Sequence, residues 1–275
     1  MGIPRSTYYD PKKENMARKQ QEAFLQNKIQ EIAYQHPYYG YRRITAQLRR
    51  DNIIINHKRV LRIMRQLGIQ AKIKRRYITT TNSRHNQPIY PNLIKEKIVT
   101  GINQVWCSDI TYIRILTGFV YLAIIIDIYS RRIVGYAIGK ILSPELTLAA
   151  LKMALANREI DHLIHHSDQG VQYASTDYIK MLKDHGIKIS MSAKGNPYDN
   201  AYVESFFKTL KQEEVYLWQY ETFSDVIERI PYFMEDVYNS KRLHSALGYR
   251  PPEEFENLLT ENASQEEKKA KTLFV

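Results

Sequence analysis

Cysteine is nearly absent: Cys107 is the only one in 275 residues, which excludes an internal disulfide and any multi-cysteine zinc module. Long hydrophobic runs are also missing. The longest, "FVYLAIIIDI", is too short to span a bilayer, and the opening "MGIPRSTYYDPKK" lacks the apolar stretch of a signal peptide. No membrane role is expected, and the cytoplasm is the default compartment. Gly2 and Ser6 fit the myristoylation pattern, but so short a pattern arises readily by chance. Acid is scarce in one stretch. From Gly40 to Arg76 there are twelve Lys or Arg and one acid, Asp51, so this segment carries the whole formal excess of +11. Charge concentrated in this way suits a polyanion-binding surface better than diffuse solubilising charge, with a solvated basic helix face as the plainer alternative.

Glycine and proline are absent from "ENMARKQQEAFLQNKIQEIAYQ", where Phe24, Leu25, Ile29 and Ile32 recur at helical spacing, so one helix is expected there, stopped by Pro37. A short helix follows around Ile44 and Leu48. Asn56 is placed to cap another that carries Val60, Ile63, Met64 and Leu67 and ends at Gly68. Two short helices with Arg42 and Arg43 on the first and Lys58, Arg59, Arg62 and Arg65 on the second satisfy the needs of a helix-turn-helix DNA reader. "TTTNSRHNQPIYP" has the composition of a linker. The expected organisation is an N-terminal helical segment over 1–36, the DNA-binding module over 37–78, a linker over 79–100, a large domain over 101–255 and a loose charged tail over 256–275.

From Gln104 the periodicity becomes that of strands. "QVWCSDITYIRI", "FVYLAIIIDIYS" and "RRIVGYAI" predict three antiparallel strands; "SPELTLAALKMALANRE", "DHLIHHSDQG", "STDYIKMLKDHG" and "IKISMS" then predict helix, strand, helix and strand. This order implies an α/β fold with a mixed five-stranded sheet and helices on both faces. A later helix, "TFSDVIERIPYFMEDVYNSKR", is expected to break at Pro231.

Carboxylates stand where strands end or helices begin: Asp109 in the first strand, Asp168 beyond the fourth, and Glu204 on the helix after the fifth. If the first and fourth strands are neighbours, Asp109 and Asp168 come together. Three acids in one cleft repel one another unless cations lie between them, and Mg²⁺, with Mn²⁺ as a substitute, is the natural hard ion. Two such ions about 4 Å apart suit phosphodiester chemistry. Each acid also has a plainer role available: an edge-strand charge at Asp109, an Asx-turn at Asp168, and a dipole partner or a pair with Lys208 at Glu204. Val203, Phe206, Phe207 and Leu210 make one apolar stripe, leaving Glu204, Lys208 and Lys211 on an adjacent polar strip. Lys194 opens the loop "KGNPYDN" before this helix and joins Lys208 and Lys211 as an expected DNA contact.

The set "WCSDITY", "HSDQGVQY" and "GNPYDNAYVESFFKTLK", with 35 residues between Asp168 and Glu204, resembles the DDE transposases and retroviral integrases. More narrowly, "YYGYRRITAQLRR", "NHKRVLRIMRQLGI" and "YNSKRLHSALGYRPPEEF" are similar to the second-frame product of insertion-sequence transposases of the IS-three type, over roughly residues 5 to 255. That resemblance implies a ribonuclease-H-like fold in which Asp109, Asp168 and Glu204 are catalytic and bind the metals, with Lys211 as the basic residue further along the helix. It implies water-driven cleavage of DNA at element ends and joining of the freed 3′-hydroxyl to target DNA, without a covalent protein intermediate. It also implies a homo-oligomer on DNA in the nucleoid and a first-frame protein or fusion partner.

Rival assignments are weaker. Asp127 is either a spare acid facing Asp109 or, more in keeping with its position, a turn residue; His165 and His166 fit packing or hydrogen bonding better than ligation; Trp106 and Cys107 fit the core. Arg242, His244 and Tyr249 suggest a tyrosine recombinase, although a loop clasping the domain's end fits them better. The competing functional class is a catalytically inactive DNA-binding regulator or accessory protein of transposition.

Overall fold

The computed structural model describes residues 16–69, 71, 88–192 and 200–273, and the chain divides into two compact units, Met1–Lys74 and Arg75–Val275. The first unit contains α1 (Met16–Gln35), α2 (Tyr41–Arg50) and α3 (His57–Gln66). Leu25, Ile29 and Ile32 from α1, Ile44 and Leu48 from α2, and Val60, Ile63 and Met64 from α3 are buried together. Phe24, expected in the α1 stripe, is 51% exposed. It sits about 100° round the helix from Leu25, off the line that Leu25, Ile29 and Ile32 share.

The Asn56 side chain accepts a 2.8 Å hydrogen bond from the Lys58 N–H and so starts α3 as expected. Gly68, with φ 67°, ends it: its N–H reaches the Arg65 carbonyl while the Ile69 N–H reaches that of Met64, which is the Schellman arrangement. Asn52 closes α2 in the same way at φ 61°, with Ile53 bonded back to Leu48.

The second unit is built on β1 (Val105–Ile115), β2 (Gly118–Asp127), β3 (Ile133–Gly139), β4 (Ile164–Ser167) and β5 (Lys188–Met191), in the spatial order β3-β2-β1-β4-β5. The three hairpin strands pair antiparallel, whereas β1–β4 and β4–β5 are parallel, giving the expected mixed sheet. Parallel neighbours need crossovers, supplied by α4 (Pro144–Asn157) and α5 (Thr176–Asp184) on one face. Trp106, Ile125, Leu151, Tyr178 and Leu182 are buried there. The opposite face is covered by α6 (Ala201–Leu210) and α7 (Phe223–Tyr232), which bury Val203, Phe206, Phe207, Leu210, Val226 and Ile230 against Val105, Cys107, Leu122 and Ile124.

Two expectations about helix ends need correction. Pro231 lies inside α7 without ending it, and from Phe233 to Asn239 the helix widens to π spacing. The proline has no N–H to donate, and the register shift lets the chain continue. Nor is the charged tail loose from residue 256: α8 runs over Pro252–Leu273. After Pro252 the segment contains strong helix formers and no glycine or proline, and buried Glu256 is bound by Arg132 at 3.0 Å and Arg158 at 2.9 Å.

Candidate active site

Alternation along β1 decides which side chains reach the α6 face. Val105 and Cys107 face α6 and α7 while Trp106 faces α4 and α5, so Asp109, of the same parity as Cys107, points toward α6. β4 lies parallel to β1, with Val105 opposite Ile164 and Cys107 opposite His166. The pairing stops there; Asp109 follows Cys107 by two residues within β1, and Asp168 follows His166 by two, just beyond the end of β4, where the crevice of an α/β sheet opens. The Asp168 Oδ1 accepts a 2.9 Å bond from the Gly170 N–H, so this carboxylate also makes the Asx-turn foreseen from "SDQG". A Cβ at Gly170 would stand 2.9 Å from that oxygen, so glycine is the residue this turn accommodates.

Glu204 is exposed on α6, whose apolar stripe is buried as expected. Lys208 is also exposed, and among the described residues no ion pair joins it to Glu204. Lys211 begins a π-helical turn, Lys211–Val215, and its Nζ lies 4.8 Å from the Tyr112 ring centroid. Burial and then the neighbouring Asp168 push the Asp109 carboxyl up to about 8; the Ile110 N–H opposes this, Glu204 adds to it, and Lys211 opposes it. Partial burial raises Glu204, and burial lowers Lys211 against the pull of Asp109. The three acids therefore share one field. All offer oxygen donors, the set that hard divalent cations prefer. Among the described residues, however, no three His, Cys, Asp or Glu side chains gather closely enough to hold a metal ion.

Lys194 lies outside the described residues. In the first unit Lys58, Arg62 and Arg65 are exposed on α3. Arg42 and Arg43 stack over Tyr41 at 5.7 Å and Tyr39 at 5.5 Å. Glu22 of α1 accepts from Arg59 at 2.7 Å and from Arg62 at 2.6 Å, and Arg59 foremost lowers its carboxyl. Nothing local in the sequence signals this competition for the arginines, because Arg59 lies 37 positions beyond Glu22.

Asp127 is not a spare acid. It stands opposite Trp106 rather than Asp109, is fully buried, and accepts from the N–H groups of Asn103, Tyr129 and Ser130 at 2.6, 2.8 and 3.0 Å, which makes it the turn residue. His165 and His166 hydrogen-bond to Tyr178 and Ser190. Arg242 grips Glu213 through two bonds of 2.8 and 2.7 Å, and the 244–250 loop closes on itself through the His244 and Arg250 backbones, so these residues clasp the domain's end as expected. A network that the sequence did not reveal lies on the α5 face: Ser108 donates to the Tyr173 hydroxyl at 3.0 Å beside the His165–Tyr178 bond.

Family models match both units of the chain. The HTH-like domain profile matches residues 19–77, and two integrase core domain profiles match residues 100–197 and 185–252. An uncharacterized 31 kDa protein of insertion element IS600 from Shigella sonnei is 41% identical over 259 residues, covering 92% of this chain and 95% of that protein. Transposase InsF for insertion sequence IS3A from Escherichia coli (strain K12) is 38% identical over 221 residues, 80% of this chain and 77% of InsF. Among solved structures, the catalytic core domain of BIV integrase aligns at 18% identity with a TM-score of 0.45, over 59% of this chain and 99% of that one. With its HTH-like unit followed by an integrase core, the chain belongs to the IS3 family of insertion-sequence transposases.

Proposed function

We propose that this chain cuts DNA at the ends of its insertion sequence and joins the freed 3′-hydroxyl to target DNA, with Asp109, Asp168 and Glu204 as its catalytic and metal-holding residues. The observation that carries this is the parallel β1–β4 pairing, whose last partners, Cys107 and His166, stand two residues before Asp109 and Asp168. The raised Asp109 carboxyl supports it, since acids that crowd one another favour a cation between them. The oxygen donors suit Mg²⁺ or Mn²⁺, and a pair of ions fits three carboxylates. When bound, such ions activate a water or hydroxyl and stabilise the leaving oxygen.

Asp109 is held within β1, Asp168 follows the end of β4, and Glu204 is carried by a helix anchored through Val203, Phe206 and Phe207, so the backbone that bears each acid is fixed by packing. Lys208 and Lys211, with Lys194, take the phosphates beside the cut. In cleavage a water oxygen bonds to the scissile phosphorus, the bond to the 3′-oxygen breaks, and that oxygen takes a proton. In joining, the 3′-oxygen bonds to a target phosphorus and displaces the target's own 3′-oxygen. Arg42, Arg43, Lys58, Arg59, Arg62 and Arg65 grip duplex DNA from the first unit. Residues 101–255 perform the chemistry, with 79–100 as linker. The working form is a homo-oligomer on DNA in the cytoplasm, at the nucleoid, assisted by a first-frame protein or fusion partner.

A labelled element end incubated with Mg²⁺ tests this. Native protein should cleave or join it and Asp168→Asn should do neither; equal product from both sinks the assignment. One observation favours the second reading, a DNA-binding regulator without catalysis: the described side chains do not converge on a metal position. That protein would bind DNA equally with or without divalent cation and with Glu204→Gln.

A further inference from the structure

Arg131 stands apart from the other buried or half-buried arginines of the second unit. Arg132, Arg158, Arg229 and Arg242 each pair with a glutamate, at 3.0, 2.9, 2.7 and 2.7 Å respectively. Among the described residues Arg131 is in no ion pair. Its guanidinium instead lies over the ring of Tyr202, 4.1 Å from the centroid. Its backbone has φ 63°, the left-handed region that costs a residue with a Cβ about 1–2 kcal/mol. A cation held at that cost without a carboxylate partner among the described residues suggests a ligand of opposite charge.

Its position indicates which ligand. Arg131 follows the end of β2, where Asp127 pairs with Trp106 at the start of β1, and its charge reaches the Cys107 thiol. Tyr202 lies in the first turn of α6, and Lys211, just past the end of α6, stacks on Tyr112 further along β1. Helix α6 therefore runs alongside β1 in the same direction. Glu204 follows Tyr202 on α6 while Asp109 lies midway between Trp106 and Tyr112, so the acids are bracketed by Arg131 at one end and Lys211 at the other. From Tyr202 to Lys211 the helix rises roughly 14 Å, enough to face several phosphates of a strand.

We infer that Arg131, held flat by Tyr202, is a phosphate contact for the DNA strand entering the acid cluster, on the side opposite Lys211. This rests on the second unit being a DNA-cutting site. A planar guanidinium fixed on an aromatic face keeps its edge donors free for phosphate oxygens, which a flexible lysine would not present in one plane.

The test uses the full chain in EDTA with a short duplex of arbitrary sequence, so that no catalysis is required. Arg131→Gln should make the plot of log affinity against log salt shallower by about 0.9, an approximately threefold smaller change between 50 and 200 mM salt, while Arg131→Lys keeps the native slope. Phenylglyoxal should label Arg131 in the free protein and label it less when DNA is bound. A native slope for Arg131→Gln, or equal labelling with and without DNA, overturns the assignment and leaves the stack as a mere anchor of α6. Failure of the cleavage assay would sink the proposed chemistry without altering either readout.

Discussion

At the scale of single residues, the acids are backed by groups kept neutral. His165 points to the face opposite Asp168, where its Nε2 is 2.9 Å from the Tyr178 hydroxyl and burial lowers it to about 3. Unfolded, this imidazole titrates near 6.5, so between about pH 6.5 and 3 the unfolded chain binds the extra proton and the folded state loses stability as pH falls. The loss from pH 7 to pH 5 should be about 2 kcal/mol, and urea melts should show His165→Gln removing most of it. An unchanged pH dependence in the variant would place the titrating group elsewhere. Asp109, Asp168 and Glu204, the proposed site acids, stand out in the sequence because each lies in a distinctive local motif. Glu22 was not, because its pairing with Arg59 and Arg62 exists only once α1 packs beside α3.

At the scale of elements, the hairpin strands and the helix starts and stops follow local rules. Asn56, Gly68 and Asn52 do what their side chains or their tolerance of positive φ allow. How closely elements approach is another matter. A Cβ at Gly135 of β3 would meet the Ala150 carbonyl oxygen and stand 2.8 Å from the Ala154 Cβ, both on α4. Gly135→Ala should therefore lower stability by about 1–3 kcal/mol, read as a drop in the urea midpoint with an unchanged slope. Gly40→Ala, which meets nothing within 4 Å, should shift it far less. The continuation of the helix through Pro231 and the length of α8 escaped the sequence because a proline and a run of charge usually end order, whereas packing and the Arg132 and Arg158 pairs with Glu256 maintain it here.

At the scale of the whole molecule, affinity for DNA depends on how many cations are free to meet phosphate. Glu22 holds two arginines of α3. If α3 faces DNA, Glu22→Gln should tighten binding to arbitrary duplex at low salt and steepen the log-log salt dependence, because Arg59 and Arg62 are released to phosphate. A titration series across salt concentrations checks this. Weaker binding by the variant would mean that Glu22 serves by orienting the pair instead. The concentration of charge between Gly40 and Arg76 was plain from the sequence, whereas the share of it available to a ligand was not.

The sequence by itself determined the two-part organisation, the order of strands and helices and the basic module, and it singled out the three acids proposed as the site. These follow from periodicity, capping and short motifs, all of which act over a few residues. The tertiary structure decided which acids are neighbours, through the parallel β1–β4 register, and excluded Asp127 by pairing it with Trp106 instead of Asp109. It also set Arg131 on Tyr202 and gave Glu22 its arginines. Those relations join residues far apart in the chain, and only the packing of the elements that carry them brings their side chains within reach of one another.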